Sequence, residues 1–190
     1  MRISKPGKKQ KESTRNAQQN KLLFLLFFLL AFILLLICVH QQQVLKNQQE
    51  QDQKAEKLGD AFLANSKLAH EHYEAGDRYG NAGRYAEGIR EYDAALLLDP
   101  KFAQAHNGRA ICLRNLKRYH ESILGSSNAI KLNPNYANAY YNRGASYFEL
   151  GKFKESLSDF ERASQLYEAQ NKAGRFAEAQ KAIAAAKQRL

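Results

Sequence analysis

AHEHYEAGDRYGNAGRYAEGIREYDAALLLDPKF (residues 69–102), AQAHNGRAICLRNLKRYHESILGSSNAIKLNPNY (103–136) and ANAYYNRGASYFELGKFKESLSDFERASQLYEAQ (137–170) are three versions of one 34-residue pattern. Pro100 and Pro134 stand one period apart, and so do Ala69, Ala103 and Ala137. Tyr79, Leu113 and Tyr147 share a column, as do Tyr85, Tyr119 and Phe153, Glu87, Glu121 and Glu155, and Ala95, Ala129 and Ala163. A fixed period of this length is the mark of a stacked array, in which each unit buries its apolar face on the next.

The columns predict what each unit is. Small residues recur at Gly76, Ala110 and Gly144, and again at Gly88, Ser122 and Ser156, where two helices must approach closely. A larger side chain there would push the axes beyond the usual separation of about 8–10 Å. Asp99–Pro100 and Asn133–Pro134 end the second helix of each unit, because proline lacks an amide donor and disfavours helix in the residue before it. The predicted pairs are 70–82 with 86–98, 104–116 with 120–132, and 138–150 with 154–170.

Each unit resembles the tetratricopeptide repeat, a helix–turn–helix motif of 34 residues. The departures are specific. The column usually holding tryptophan has His72, His106 and Tyr140; Ser126 replaces an aromatic; Lys117 replaces the turn glycine; and Glu168 replaces the last proline, so that helix should run on. Beyond it, Phe176, Ala179, Ile183, Ala186 and Leu190 form one stripe on a capping helix over 171–190, opposite Arg175, Lys181, Lys187 and Arg189 on the solvated side.

Working outward, Leu22–Val39 (LLFLLFFLLAFILLLICV) has 18 residues and no polar side chain. As a helix it would span about 27 Å, close to the hydrocarbon thickness of a bilayer. A cleaved signal peptide would have a shorter apolar run and small residues at its end; here Ile37, Cys38, Val39 and His40 follow. An uncleaved transmembrane helix is expected. Seven Lys/Arg against one acid precede it, and few basic residues follow, which places the N-terminus in the cytoplasm and the repeats on the opposite, periplasmic or lumenal side. Residues 1–21 are polar and without apolar periodicity, so they read as a disordered basic tail. Residues 40–68 read as a helical stalk and lead-in helix, with too few apolar positions for a sustained heptad. The fold class is therefore all-α: a transmembrane helix and stalk, then a solenoid of three repeats (69–102, 103–136, 137–170) and its cap.

The net charge of +10 sits entirely at the two ends. Residues 69–170 carry thirteen Lys/Arg and thirteen acids, which argues against nucleic acid as a partner. Cys38 and Cys112 are 74 positions apart, one of them inside the apolar block, so no intrachain bridge is expected. The five histidines (His40, His70, His72, His106, His120) make no metal-ligand spacing, and His72 and His106 share a repeat column, which reads as packing. No phosphate loop, nucleophile–base pair or cofactor motif is present. The expectation is a protein that is not an enzyme and carries no cofactor.

The resemblance implies a groove lined by positions 2, 5, 9 and 12 of each first helix. Here these are His70, Tyr73, Asp77 and Gly80; Gln104, Asn107, Ile111 and Arg114; Asn138, Tyr141, Ala145 and Phe148. Aromatic rings and amides suit a peptide or helix of another protein; the plainer alternative is that they are solvated polar positions. Co-chaperone members hold a terminal carboxylate with lysines, an arginine and asparagines. The matching positions carry Tyr73, Asp77, Gly108, Asn138 and Asn142, so capture of an acidic C-terminal tail is not expected. The functional expectation is a membrane-anchored scaffold that assembles or localises a membrane complex. The alternatives are a structural membrane protein self-associating through anchor and stalk, and an import or docking receptor on an organelle surface.

Overall fold

The computed structural model describes residues 7–190, with side chains from Ser13 onward. Seven helices are present: α1 (Gly7–Asn81), α2 (Tyr85–Leu98), α3 (Ala103–Asn115), α4 (Tyr119–Leu132), α5 (Ala137–Glu149), α6 (Phe153–Ala169) and α7 (Ala173–Lys187). Among the described residues there is no strand. The chain divides into two units, the residues up to Gly59 and Asp60–Leu190, and α1 contributes to both.

In the first unit α1 runs without a break, since no glycine or proline occurs between Gly7 and Gly59. Gln43 donates to Asn47 and Gln48 to Asp52, each at 3.0 Å along one helix face. The described part of the basic tail, 7–21, is helical and not disordered: good helix formers without a breaker extend a helix already nucleated downstream. Its first six residues lie outside the described ones. From Leu22 to Val39 every large apolar side chain is exposed. By length and composition this helix could cross a membrane.

In the second unit, successive helices from α2 to α7 each pack on the next, and α3 also touches α5. The packing follows the small-residue columns. A β-carbon on Gly88 would lie 3.3 Å from the Gly76 carbonyl oxygen and 3.2 Å from the Cys112 sulfur. One on Gly144 would lie 3.1 Å from the Phe160 ring. The core falls into three clusters along the stack: one around Ile89, Tyr92 and Leu113, one around Ala163 and Tyr167, and one around Phe160, Ile183 and Ala186.

The same turn closes the first helix of every repeat and also α6, the second helix of the third. Arg84 N–H donates to Tyr79 O, Arg118 to Leu113, Lys152 to Tyr147, and Lys172 to Tyr167, all at 2.9 Å. This six-to-one bond requires a left-handed residue just before it. That residue is Gly83 (φ 74°), Lys117 (φ 60°), Gly151 (φ 72°) and Asn171 (φ 55°) in turn. Where Pro100 and Pro134 follow, the second helices have 14 residues; α6, with Glu168 in that column, has 17. The cap stripe is buried at Ala179, Ile183 and Ala186. Leu190 is not part of it: α7 ends at Lys187, and Leu190 is 61% exposed.

Candidate functional site

The histidines hold the first two repeats together. His72 Nδ1 pairs with Glu91 at 2.7 Å, joining α1 to α2, and His106 Nε2 donates to the Pro100 carbonyl at 3.1 Å, clasping the loop before α3. Among the described residues no group of three or more His, Cys, Asp or Glu is placed to hold a metal ion.

The twelve groove positions do not form one surface. At the first repeat, His70, Tyr73 and Phe102 form a triangle of rings, with His70 5.9 and 6.1 Å from the other two centroids, which are 5.0 Å apart. His70 and Phe102 also border a pocket of about 490 Å³ with Leu63 and Lys67. Asp77 accepts the Tyr92 hydroxyl at 2.5 Å. Burial, then the hydrogen bond and charge of Asp77, raise the phenol pKa of both Tyr73 and Tyr92. Gln104 is exposed. Asn107 is only 3% exposed and accepts Asn142 Nδ2 at 3.0 Å. It therefore braces α3 against α5 and is not a free groove side chain. Phe148 packs edge-on against Phe153 (5.3 Å) and borders a different hollow with Phe160 and Ala182.

Four of the expected residues do converge. Ile111 and Arg114 from α3, and Asn138 and Tyr141 from α5, line one pocket of about 220 Å³. Three more residues complete it: Asn142, Tyr167 from α6, and Arg175 from α7. The Tyr167 hydroxyl donates to Asn138 Oδ1 at 2.7 Å. Burial pushes that phenol up to about 12, against the opposing charge of Arg175. Tyr136, beside the amides of Asn107 and Asn138, is raised by burial while those amides act in the opposite direction. A hydrogen-bonded floor of amides and phenols thus fixes the rotamers of the wall.

Arg175 is the addition that matters most. It stays on the solvated side, as the α7 stripe expects, with its side chain 55% exposed, but it also edges the pocket beside Tyr141 and Tyr167 while Nη1 holds Glu178 at 2.9 Å. The signal is the 34-residue period itself: Arg175 stands one period after Tyr141, in the column of Tyr73 and Asn107. Tyr167 is a second residue that the sequence reading did not single out; it is buried, with its hydroxyl turned to Asn138.

The comparisons with known proteins agree with this architecture. Residues 73–125, 113–151 and 137–170 each match a model of the tetratricopeptide repeat. No curated protein sequence matches the chain significantly. Among solved structures, the first TPR of Spaghetti (RPAP3) bound to the HSP90 peptide SRMEEVD is similar at 31% identity and a TM-score of 0.53. It covers 63% of this chain and 95% of that one. The TPR2B domain of yeast Sti1, in its Hsp70 complex, has 21% identity and a TM-score of 0.64, covering 66% and 100%. PcrH in complex with the chaperone binding region of PopD has 21% identity and a TM-score of 0.61, covering 63% and 91%. The last two are likenesses of fold.

Proposed function

Because the chain belongs, through residues 73–170, to the tetratricopeptide repeat family, we propose that it is a membrane-anchored, non-enzymatic scaffold. Its first helices bind a segment of a partner protein and hold it near the bilayer while a membrane complex is assembled or localised. The observation that carries this reading is the pocket in which Ile111, Arg114, Asn138 and Tyr141, from two different repeats, meet over a braced floor. Side chains fixed in advance lose little entropy when a ligand arrives. The similar Spaghetti domain is bound to a peptide, which supports a peptide as the ligand class.

The anchor is Leu22–Val39, and the flanking charge places the N-terminus in the cytoplasm and the repeats across the membrane. Tethering raises the local concentration of any membrane-bound partner, so modest affinity suffices.

A photo-cross-linking residue tests the binding surface. Placed at exposed Gln104, it should trap a partner, and Tyr141→Leu should reduce the yield; placed at Leu124, exposed on α4, it should trap none. Equal trapping from both sites, or indifference to Tyr141→Leu in a chain with unchanged melting, would refute the groove. For sidedness, sealed vesicles with the cytoplasmic face outward should protect residues 60–190 from added protease until detergent opens them. Digestion without detergent would reverse the orientation.

A further inference from the structure

We propose that the pocket between α3, α5 and α7 is a carboxylate-binding subsite, in which Arg114 and Arg175 read an acidic group of the bound segment. This rests on the groove reading above and specifies what one part of the groove takes.

The first reason is an unmet donor. Arg114 Nε is buried and has no hydrogen-bond partner, and none of the ion pairs among the described residues includes Arg114. Glu149, on the neighbouring helix, takes a long hydrogen bond of 3.5 Å from Tyr119. Buried polar groups in folded proteins are nearly always paired, and a charged one most of all. An acceptor supplied by a ligand would complete this one.

The second reason is the composition of the wall. It holds two guanidinium groups, two amides, two phenols and one isoleucine, and no acid. Asn142 donates to Asn107 and the Tyr167 hydroxyl to Asn138, while Arg175 commits Nη1 to Glu178; the donors left for a ligand are those of Arg114, the Tyr141 hydroxyl and the remaining N–H groups of Arg175. Guanidinium is a planar fork that matches a carboxylate with two parallel hydrogen bonds.

The third reason is the amount of charge. Arg175 already shares its charge with Glu178, which leaves the pocket close to a single uncompensated cation. That suits one carboxylate better than a doubly charged phosphate. A volume of about 220 Å³ admits a short acidic side chain or a chain terminus. The charge comes from the twelfth position of the second repeat and from the cap, neither of which is a position that co-chaperone members use for a terminal carboxylate.

The test uses the full chain in dodecyl maltoside micelles, with the arginine Nε–H signals followed by NMR and assigned from the variants. The probes are acetyl-Gly-Glu-Gly-amide, its Gln isostere, acetyl-Gly-Gly-Gly with a free C-terminus, and inorganic phosphate. The glutamate peptide should shift the Arg114 and Arg175 signals saturably and bind at least tenfold more tightly than the Gln peptide. Arg114→Gln and Arg175→Gln should each weaken it at least tenfold, Arg114→Lys should restore part of the binding, and Arg189→Gln should change nothing. Tighter binding of the free C-terminus than of the glutamate peptide would support the subsite and assign it to a chain end. Equal shifts from the Glu and Gln peptides, binding that survives both arginine replacements, or tighter binding of phosphate would overturn it. Partner trapping that is lost with Tyr141→Leu but unaffected by Arg114→Gln with Arg175→Gln would remove the subsite and leave the groove standing.

Discussion

The Tyr92 ring is seated directly against Gly108, so closely that a β-carbon there would come within 2.5 Å of the Tyr92 Cζ. On its other side the same ring meets Gly76, where the corresponding approach is 2.7 Å. One aromatic of α2 is therefore wedged between α1 and α3, with its hydroxyl fixed by Asp77. The ring cannot swing aside without breaking that bond. Gly108→Ala should destabilise the repeats by about 1–3 kcal/mol, the usual cost of overpacking. Gly174→Ala, with nothing within 4 Å, should change stability by less than about 0.5 kcal/mol. Thermal melts followed by circular dichroism would decide; equal effects would mean that the wedge is soft.

Lys117 occupies the left-handed position that Gly83 and Gly151 hold in the other two repeats. A β-carbon in that conformation costs roughly 1–2 kcal/mol, part of which glycine returns through the greater entropy of its unfolded chain. Lys117→Gly should therefore stabilise by about 0.5–1 kcal/mol and raise the melting temperature by a few degrees. A lower melting temperature would show that the lysine side chain contributes contacts that the backbone geometry does not reveal.

Asp159, 5% exposed, receives both Nε and Nη2 of Arg143 at 2.7 Å, and Arg143 Nη1 reaches Ser127 on α4 at 3.2 Å. Donating these hydrogen bonds to Asp159 raises the Arg143 pKa. Removing one partner strands the other charge, so Asp159→Ala should cost about 3 kcal/mol, and Arg143→Ala a similar amount. The double variant should cost clearly less than the two losses combined. Simple additivity in a double-mutant cycle would show that the pair is not coupled.

Cys112 is buried, and that burial, reinforced by the negative charge of Asp77, pushes its thiol up to about 11 from 9.0. The folded chain keeps this proton between about pH 9 and 11 while the unfolded chain releases it. Stability is thus intact below pH 9 and falls as pH rises toward 11, by on the order of 2 kcal/mol. In a Cys38→Ala background, iodoacetamide should label Cys112 slowly at pH 8 until the protein is unfolded. Cys112→Ala should flatten the decline that begins near pH 9, leaving the later one from buried tyrosines such as Tyr167, which is raised to about 12. Rapid labelling of the folded chain at pH 8 would contradict the burial.

The repeat could be read directly because its constraints are local. Pro100 and Pro134 stop helices through their own backbones, and the glycine columns fall at one fixed period. The helix starts at 85, 103, 119, 137 and 153 lie within one residue of expectation. Where reading by period fell short, residues far apart in sequence decide the outcome. Asn107 looks like a groove position by its index, yet the side chain of Asn142 takes it into the interior. Phe148 has the right index as well, but the packing of α6 and α7 gives it to the core.

The sequence by itself determined that residues 69–170 form three helical hairpins, that a further amphipathic helix follows them, and that an 18-residue apolar run precedes them. Each of these depends on spacing along the chain, which is a property of neighbours. Only the tertiary structure decided which side chains share a pocket. Arg114 and Arg175 lie 61 positions apart, and although the 34-residue period puts Arg175 in the column of Tyr141, the packing of α7 on α6 is what brings it to the pocket that Arg114 lines. That packing joins Ala179 to Ala163 and Leu166, and Ile183 and Ala186 to Phe160, a matter of close packing among residues of different helices rather than of any local preference.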